Sequence, residues 1–181
     1  MTQTINPVII CDLDGTLALV DNRRKQADIA LKLAVTDAGY NSFSDVPDEL
    51  KREVNSHWWN TWEDPRNIML DEPHLGLVQT LRLLQDHYYL WIFSGRNDRC
   101  KDATNEWLDF YEVPHHELIM RSNATEKFIR DCDLKKKWLN GHILKHNLEI
   151  AMIYDDRQQV VDMWKSLGYE DRLWQVAVFD G

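Results

Sequence analysis

Five short apolar runs, separated by stretches with helical periodicity, constrain the fold of this chain more than any other feature. This alternation is typical of a mostly parallel sheet with helices on both faces. The predicted strands are 7–13 (PVIICDL), 88–94 (YYLWIFS), 116–120 (HELIM), 150–156 (IAMIYDD) and 174–179 (WQVAVF). The predicted helices between them are 75–86, 98–111, 133–146 and 157–167. We therefore predict an α/β protein with three α/β/α layers.

Residues 18–74 interrupt this alternation. They contain two helical patterns, at 24–39 and 47–62, and no clear strand. No repeat or low-complexity linker separates them from the rest, so we expect them to pack on the main domain. The predicted organisation is a core of residues 1–17 and 75–181 with a small helical cap, residues 18–74, inserted after the first strand.

Composition narrows the classes of protein. The 181 residues are 44% hydrophobic, which is enough to bury one core, and neither a signal peptide nor a membrane-spanning stretch is visible. Three widely spaced cysteines without a CxxC motif indicate reduced thiols. We expect a soluble, cytoplasmic monomer or dimer with no membrane partner. A net charge of -9 disfavours attraction to a long nucleic-acid backbone, but a strand end or a small phosphorylated ligand stays possible.

Two carboxylates, Asp12 and Asp14, follow the apolar run of the first strand. Close like charges cost stability unless a cation lies between them. Alternation directs both side chains to one side, and Gly15 permits a sharp exit. A calcium-binding EF-hand loop would need a glutamate at its twelfth position, where this chain has Arg23. A turn with exposed acids is the structural alternative.

Three further polar segments lie at strand ends or helix starts, where open parallel sheets bind ligands. FSGR (93–96) offers a hydroxyl, backbone amides and a guanidinium, which suit a phosphate oxygen but also occur in ordinary polar turns. DLKKKWL (133–139) places a lysine near a helix start, although such a charge run is usually a solvated face. IYDDRQQVVDMW (153–164) ends a strand in Asp155 and Asp156, which alternatively cap the next helix.

Taken in order, these four segments resemble the motif set of the haloacid dehalogenase (HAD) superfamily. DLDGTLA, SGR, DLKKKWL and YDDRQQVVDMWKSLG…WQVA are more closely similar to the 3'-phosphatase domain of bacteriophage polynucleotide kinase and its stand-alone relatives. The resemblance covers most of the chain outside residues 25–65. It implies a HAD-like, Rossmann-like core. The GxxxxGK[ST] motif of the kinase half does not occur in these residues.

The resemblance also implies roles for single residues. Asp12 would be the nucleophile that forms an aspartyl-phosphate, and Asp14 the general acid and base. The implied cofactor is Mg²⁺, held by Asp12, the Asp14 backbone carbonyl and Asp156, with Asp155 beside them. The implied groups that bind the transferred phosphate are those of Ser94, Gly95, Arg96 and Lys135. The Trp of DLKKKWL favours Lys135 for this role, whereas counting back from Asp155 favours Lys136; we choose Lys135.

Substrate contacts are expected from the helical cap, residues 18–74, and from the region before Lys135. Arg23 belongs to a short basic stretch, and Arg121 and Arg130 precede Lys135. Trp58 and Trp62 share a helical face, where they either stack a nucleobase or form the hydrophobic core of the cap.

The implied function is removal of 3'-phosphates from nucleic-acid ends. The alternatives are a 5'(3')-nucleotidase or other small-molecule phosphatase, a receiver-type phospho-signalling domain, and a catalytically silent nucleic-acid-binding module. A receiver domain would carry its phosphoacceptor on a middle strand after an acidic pair, and has nothing corresponding to DxDGT on its first strand.

Overall fold

The computed structural model describes residues 7–176. The strands are β1 (Val8–Cys11), β2 (Ala18–Leu19), β3 (Glu72–Pro73), β4 (Tyr89–Asn97), β5 (Glu117–Arg121), β6 (Ile150–Asp155) and β7 (Leu173–Gln175). The α-helices are α1 (Asp21–Asp37), α2 (Asp48–Trp62), α3 (Leu75–Leu84), α4 (Lys101–Phe110), α5 (Asp131–Trp138) and α6 (Gln158–Ser166).

The main sheet has five strands in the order β5-β4-β1-β6-β7, and every neighbouring pair is parallel. Strand β1 is central, with Ile10 paired to Trp91 on one side and to Ile153 on the other. The three-layer α/β/α prediction is confirmed. Because all five strands run the same way, the carboxyl ends of β1, β4 and β6 meet at one edge, where the sequence places its polar segments.

The side chains of β1 contribute to two hydrophobic clusters. Ile9 and Cys11 belong to a cluster with residues of α3 and α4, whereas Val8 and Ile10 belong to one with residues of α5 and α6. This follows from the two-residue period of a strand, since alternate side chains point to opposite faces. A strand buried on both faces reads as a continuous apolar run, which is what residues 8–11 show.

The inserted segment contains two helices, as predicted, but also two short strands. Helices α1 and α2 pack on each other around the buried side chains of Ala34, Val35, Val46 and Val54. Strands β2 and β3 form an antiparallel ribbon at the base of the segment, so the expectation of no strand within 18–74 was wrong. Two residues per strand are too few to show an alternating pattern. The division into a core and a cap at residues 18 and 74 stays a prediction.

Most elements lie within a few residues of their predicted bounds, and two differ more clearly. The predicted strand 174–179 is observed as β7, and residues 177–179 lie outside the described part of the chain. The predicted helix 133–146 begins at Asp131 and continues past Trp138 as a π-helical turn, 139–143, and a short 3₁₀ turn, 144–146. Within residues 7–176, no helix combines the length and the apolar character needed to cross a bilayer.

Candidate active site

The two carboxylates of DxDG lie directly beyond β1. The Asp12 N–H donates to the Tyr154 carbonyl at 2.8 Å, which extends the contact between β1 and β6 by one residue. Leu13 is fully buried in the core, so its neighbours point the other way. Gly15 then takes φ +88°, a left-handed conformation that glycine adopts readily. This turn leaves both carboxylates at the edge of the sheet.

A lysine from α5 joins the two acidic strand ends. Lys135 Nζ donates to Asp12 at 2.5 Å and to Asp155 at 2.7 Å, and all three side chains are nearly completely buried. Burial raises the pKa of Asp12 to about 8, although the nearby Lys135 charge opposes this shift. Lys136 is exposed. Of the two lysines left open by the sequence, only Lys135 reaches the strand ends.

A set of carboxylates at the same place could hold a metal ion. Oxygens of Asp12, Asp155 and Asp156 lie within 4.8 Å of one another. Gly15 leaves room for this set, because a Cβ there would stand 2.3 Å from Asp156 Oδ2. Hard oxygen ligands at such spacing fit Mg²⁺. The Asp14 carboxylate is not part of the set, and a contribution of the Asp14 backbone carbonyl stays a prediction.

The Asp14 carboxylate instead lies between two arginines. Arg23 Nη2 donates to it at 2.5 Å and Arg96 Nε at 2.7 Å. Burial would raise the pKa of Asp14, but the two guanidinium charges outweigh it and hold the pKa at about 2. The implied role of nucleophile requires an ionised Asp12, and the implied role of general acid requires a protonated Asp14. The pKa values of these two groups run in the opposite order.

Asp71 was not singled out by the sequence reasoning, yet it completes this arginine pair. Its carboxylate accepts from Arg23 Nε at 3.0 Å and from Arg96 Nη2 at 2.6 Å, and the side chain is fully buried. Two carboxylates and two guanidiniums thus form a neutral group. Burial raises the pKa of Asp71 to about 6 against the opposing charges of both arginines. The signal in the sequence was an acid placed just before the first predicted core helix, a pattern too common to indicate a site residue.

The SGR segment follows a different geometry from the one expected. Ser94 is fully buried, and its Oγ accepts from the Arg96 N–H at 3.2 Å. Gly95 lines the cavity described below, and a Cβ there would stand 3.1 Å from Asp131. Arg96 is engaged with Asp14 and Asp71 rather than free. The structure therefore brings Gly95 and Arg96 to the cavity and places the Ser94 side chain behind it.

Arg121 holds a loop in place. Its guanidinium donates to the carbonyls of Gly95, Glu126 and Ile129 at 3.0, 3.0 and 2.5 Å, and it also pairs with Asp131. Arg157 pairs with the same aspartate. Four protein acceptors thus surround the Arg121 donors, and the loop between β5 and α5 is tied to the strand end.

A cavity of about 350 Å³ opens over these groups. Its walls come from the strand ends, from α2 and from the β5–α5 loop. The lining residues include Asp12, Asp14, Arg23, Gly95, Arg96, Asn97, Arg121, Arg130, Asp131 and Arg157. A second cavity of about 440 Å³ shares Asp14, Trp62 and Arg157 with it.

The three tryptophans of α2 differ in whether they border the cavity. Trp58 and Trp62 stack on each other with ring centroids 5.1 Å apart, and Trp58 Nε1 donates to Asp28 at 2.7 Å. The Arg23 guanidinium lies 4.0 Å from the Trp62 ring. Trp62 lines the first cavity together with Trp59, which the sequence reasoning had not selected. Trp58 is not among the residues that line that cavity.

The fold and this site together define a phosphatase domain of the HAD superfamily. Over residues 58–180 the sequence matches the family model of the polynucleotide kinase PNKP phosphatase domain. The chain belongs to this family.

Similar proteins agree with the assignment. One relative, 26% identical over 162 residues, is a protein of Autographa californica nuclear polyhedrosis virus assigned as a bifunctional polynucleotide kinase/RNA ligase; the match covers 88% of this chain and 18% of the relative. In the Pnkp1/Rnl/Hen1 RNA repair complex, one chain matches with a TM-score of 0.63 and 23% identity, over 100% of this chain and 46% of that chain. A HAD-like hydrolase, SP0104 from Streptococcus pneumoniae, matches with a TM-score of 0.67 and 16% identity, over 92% and 83% of the two chains. The chain spans less than half the length of the first two.

Proposed function

We propose that this chain is a Mg²⁺-dependent phosphomonoesterase that removes 3'-phosphates from nucleic-acid ends. The observation that carries the proposal is the buried contact of Lys135 with both Asp12 and Asp155, at the carboxyl ends of two adjacent parallel strands. A buried cation between two acids, beside an open cavity, is a costly arrangement that suits a reactive carboxylate. The PNKP phosphatase family match supports the 3'-phosphate as the group removed.

Asp12 is the proposed nucleophile. Lys135 binds one of its oxygens, which fixes the carboxylate at the floor of the cavity. A carboxylate oxygen attacks phosphorus, the bond from phosphorus to the sugar oxygen breaks, and the phosphoryl group is left on Asp12. Backbone amides near Gly95 and the Lys135 ammonium bind the transferred oxygens.

Asp12, Asp155 and Asp156 are the residues that would hold Mg²⁺. When bound there, the ion supplies positive charge that offsets the repulsion between an anionic nucleophile and a phosphate dianion. A cation against Asp12 also favours the ionised form of its carboxylate, which burial alone disfavours.

Asp14 is the proposed proton carrier, and its neighbours decide when it holds a proton. With Arg23 and Arg96 beside it, the carboxylate is ionised in the free protein. This is the form needed to deprotonate the water that hydrolyses the aspartyl-phosphate. A phosphate dianion arriving next to Asp14 raises the pKa again, because like charges disfavour the charged form. The proton taken up in this way is given to the leaving sugar oxygen. Arg23 and Arg96 act here as positioning residues.

Comparison of three substrates tests the proposed substrate class. We expect the highest kcat/KM for a 3'-phosphorylated oligonucleotide, a lower value for a deoxynucleoside 3'-monophosphate, and the lowest for a 5'-monophosphate. A preference for the 5'-monophosphate would instead identify a nucleotidase. Release of phosphate from p-nitrophenyl phosphate, measured in parallel, shows whether phosphatase activity is present regardless of which natural substrate is preferred.

Two controls test the chemistry. Removal of divalent cations with a chelator should abolish phosphate release, and added Mg²⁺ should restore it. Asp12→Asn should abolish phosphate release, and added Mg²⁺ should not restore it, since an amide is not a nucleophile towards phosphorus. Asp48→Asn is the matched control, because Asp48 is an exposed acid whose partner is Lys51, and neither residue lines the cavity.

A further inference from the structure

Two exposed aromatic side chains stand at the mouth of the active-site cavity. Trp59, on α2, is 50% exposed, and Phe128, in the loop between β5 and α5, is 89% exposed. Single exposed apolar side chains are common and need no explanation. These two differ because they come from separate parts of the chain and line the same cavity as Asp12 and Asp14.

The Phe128 side chain is exposed although its backbone is firmly held. Arg121 donates to the carbonyls of Glu126 and Ile129, on either side of Phe128, and the Ile129 N–H donates to Glu126. Ser122 N donates to the Glu126 carboxylate as well. The loop is thus fixed through Arg121 to the carboxyl ends of β4 and β5, beside the site. A rigid loop that presents a phenyl ring to solvent offers a flat apolar face at little entropic cost.

The charges around the ring suit a nucleic-acid strand. Lys127 and Arg130 flank Phe128 in sequence, and both line the cavity, in a chain whose net charge is -9. The Lys127 ammonium lies 5.8 Å from the Phe128 ring centre, and within residues 7–176 it has no carboxylate within ion-pair distance. A base stacks on an aromatic face whatever its identity, and a nearby cation binds the adjoining phosphodiester.

We propose that Trp59 and Phe128 form a nucleobase clamp that selects a single-stranded 3' end. This proposal rests on the proposed 3'-phosphatase function and deepens it. The clamp binds the faces of the last bases, while Lys127 contacts the first phosphodiester behind the terminal phosphate. In a duplex the terminal base is paired and stacked on its inner neighbour, so a blunt end offers only one outer face and no base that the two side chains can hold between them.

The test compares a single-stranded, 3'-phosphorylated DNA oligonucleotide with the same strand carrying abasic sugars at its last two positions. The wild-type protein should have a kcat/KM about tenfold higher or more for the strand with bases, since each stacked base is worth that much. Phe128→Ala should lower this ratio several-fold, and Phe128→Ala combined with Trp59→Ala should bring it near one. Because Phe128 is so exposed, its replacement does not endanger folding; Trp59→Ala should act in the same direction.

Phe110→Ala is the matched control. Phe110, at the end of α4, is 67% exposed and does not line the cavity, so its replacement should keep the wild-type ratio. A blunt duplex with the same 3'-phosphate should be a poorer substrate for the wild-type protein than the single strand.

Three outcomes would overturn the clamp. They are a wild-type ratio near one, a Phe128→Ala ratio equal to that of wild type, or equal turnover of duplex and single strand. In each case the phosphatase itself stands. If neither oligonucleotide is hydrolysed while p-nitrophenyl phosphate is, the proposed substrate falls and the clamp falls with it.

Discussion

Asp71 accepts a 2.6 Å hydrogen bond from Arg96, and this contact joins the end of the inserted segment to the carboxyl end of β4. Arg96 in turn donates to Asp14. The position of the proposed proton carrier therefore depends on a carboxylate far from it in sequence and outside the four motifs. Asp71 is a positioning residue in this account.

Asp71→Asn should destabilise the protein by about 3 kcal/mol, because it leaves a buried arginine pair with one carboxylate instead of two. It should also lower kcat, since Arg23 and Arg96 lose the acceptor that orients them. Urea denaturation and phosphate-release kinetics measure the two effects. Asp48→Asn is the control, because Asp48 pairs with Lys51 at the surface, and the midpoint should not move. Wild-type stability and kcat in Asp71→Asn would contradict the proposed role.

Lys135→Met should reduce kcat by about 10²-fold or more, the range found when a preorganised charge that stabilises a transition state is removed. The physical reason is that the Lys135 ammonium no longer fixes the Asp12 carboxylate or stabilises the charge on the transferred phosphoryl oxygens. Lys136→Met, at the neighbouring exposed position, is the control and should retain activity. If Lys136→Met were the inactive variant, the assignment of the lysine would be wrong.

Gly15→Ala should impair Mg²⁺ binding more than folding of the core. A Cβ at this position would stand 2.3 Å from the Asp156 carboxylate, and φ +88° is strained for alanine. Titration of activity against Mg²⁺ measures the effect, and the half-saturating concentration should rise. Gly39→Ala has a similar φ of +86° with nothing near its Cβ, so it controls for backbone strain. An equal Mg²⁺ requirement in both variants would argue against Asp156 as a ligand.

Asp14 should give the protein a distinct acid sensitivity. Its pKa is about 2 in the folded chain against a usual 3.8, so the folded state takes up this proton less readily than the unfolded state. The ionised Asp14 therefore stabilises the fold above about pH 4, and this contribution of about 2 kcal/mol is lost as the pH falls towards 2. The free energy of unfolding measured from pH 5 to pH 2.5 should fall less steeply in Asp14→Asn. Identical slopes would show that the arginines do not depress this pKa.

The positions of the core strands along the chain could be predicted because each is a short apolar run followed by polar residues. Strands β1, β4, β5 and β6 were located within a few residues. The ribbon β2–β3 could not be found, since two-residue strands carry no periodicity. The acidic pair at the carboxyl end of β6 and the lysine of α5 lie next to Asp12, as the motif order suggested.

The electrostatic detail of the site could not be predicted from the sequence. Ser94 and Arg96 were expected to contact phosphate directly, but burial of Ser94 and the pairing of Arg96 depend on tertiary packing around Asp71. The choice of Trp58 and Trp62 failed to include Trp59, because helical spacing identifies a shared face and not which side chain borders the cavity.

The central claim is that Asp12 carries the phosphoryl group during turnover. The most direct measurement is to stop the reaction in acid during steady-state turnover with Mg²⁺ and a 3'-phosphorylated oligonucleotide, and to map the added phosphate by mass spectrometry. We predict a phosphate on the peptide that contains Asp12, absent from Asp12→Asn. Turnover without any phosphorylated protein, or with the phosphate on another side chain, would contradict the account.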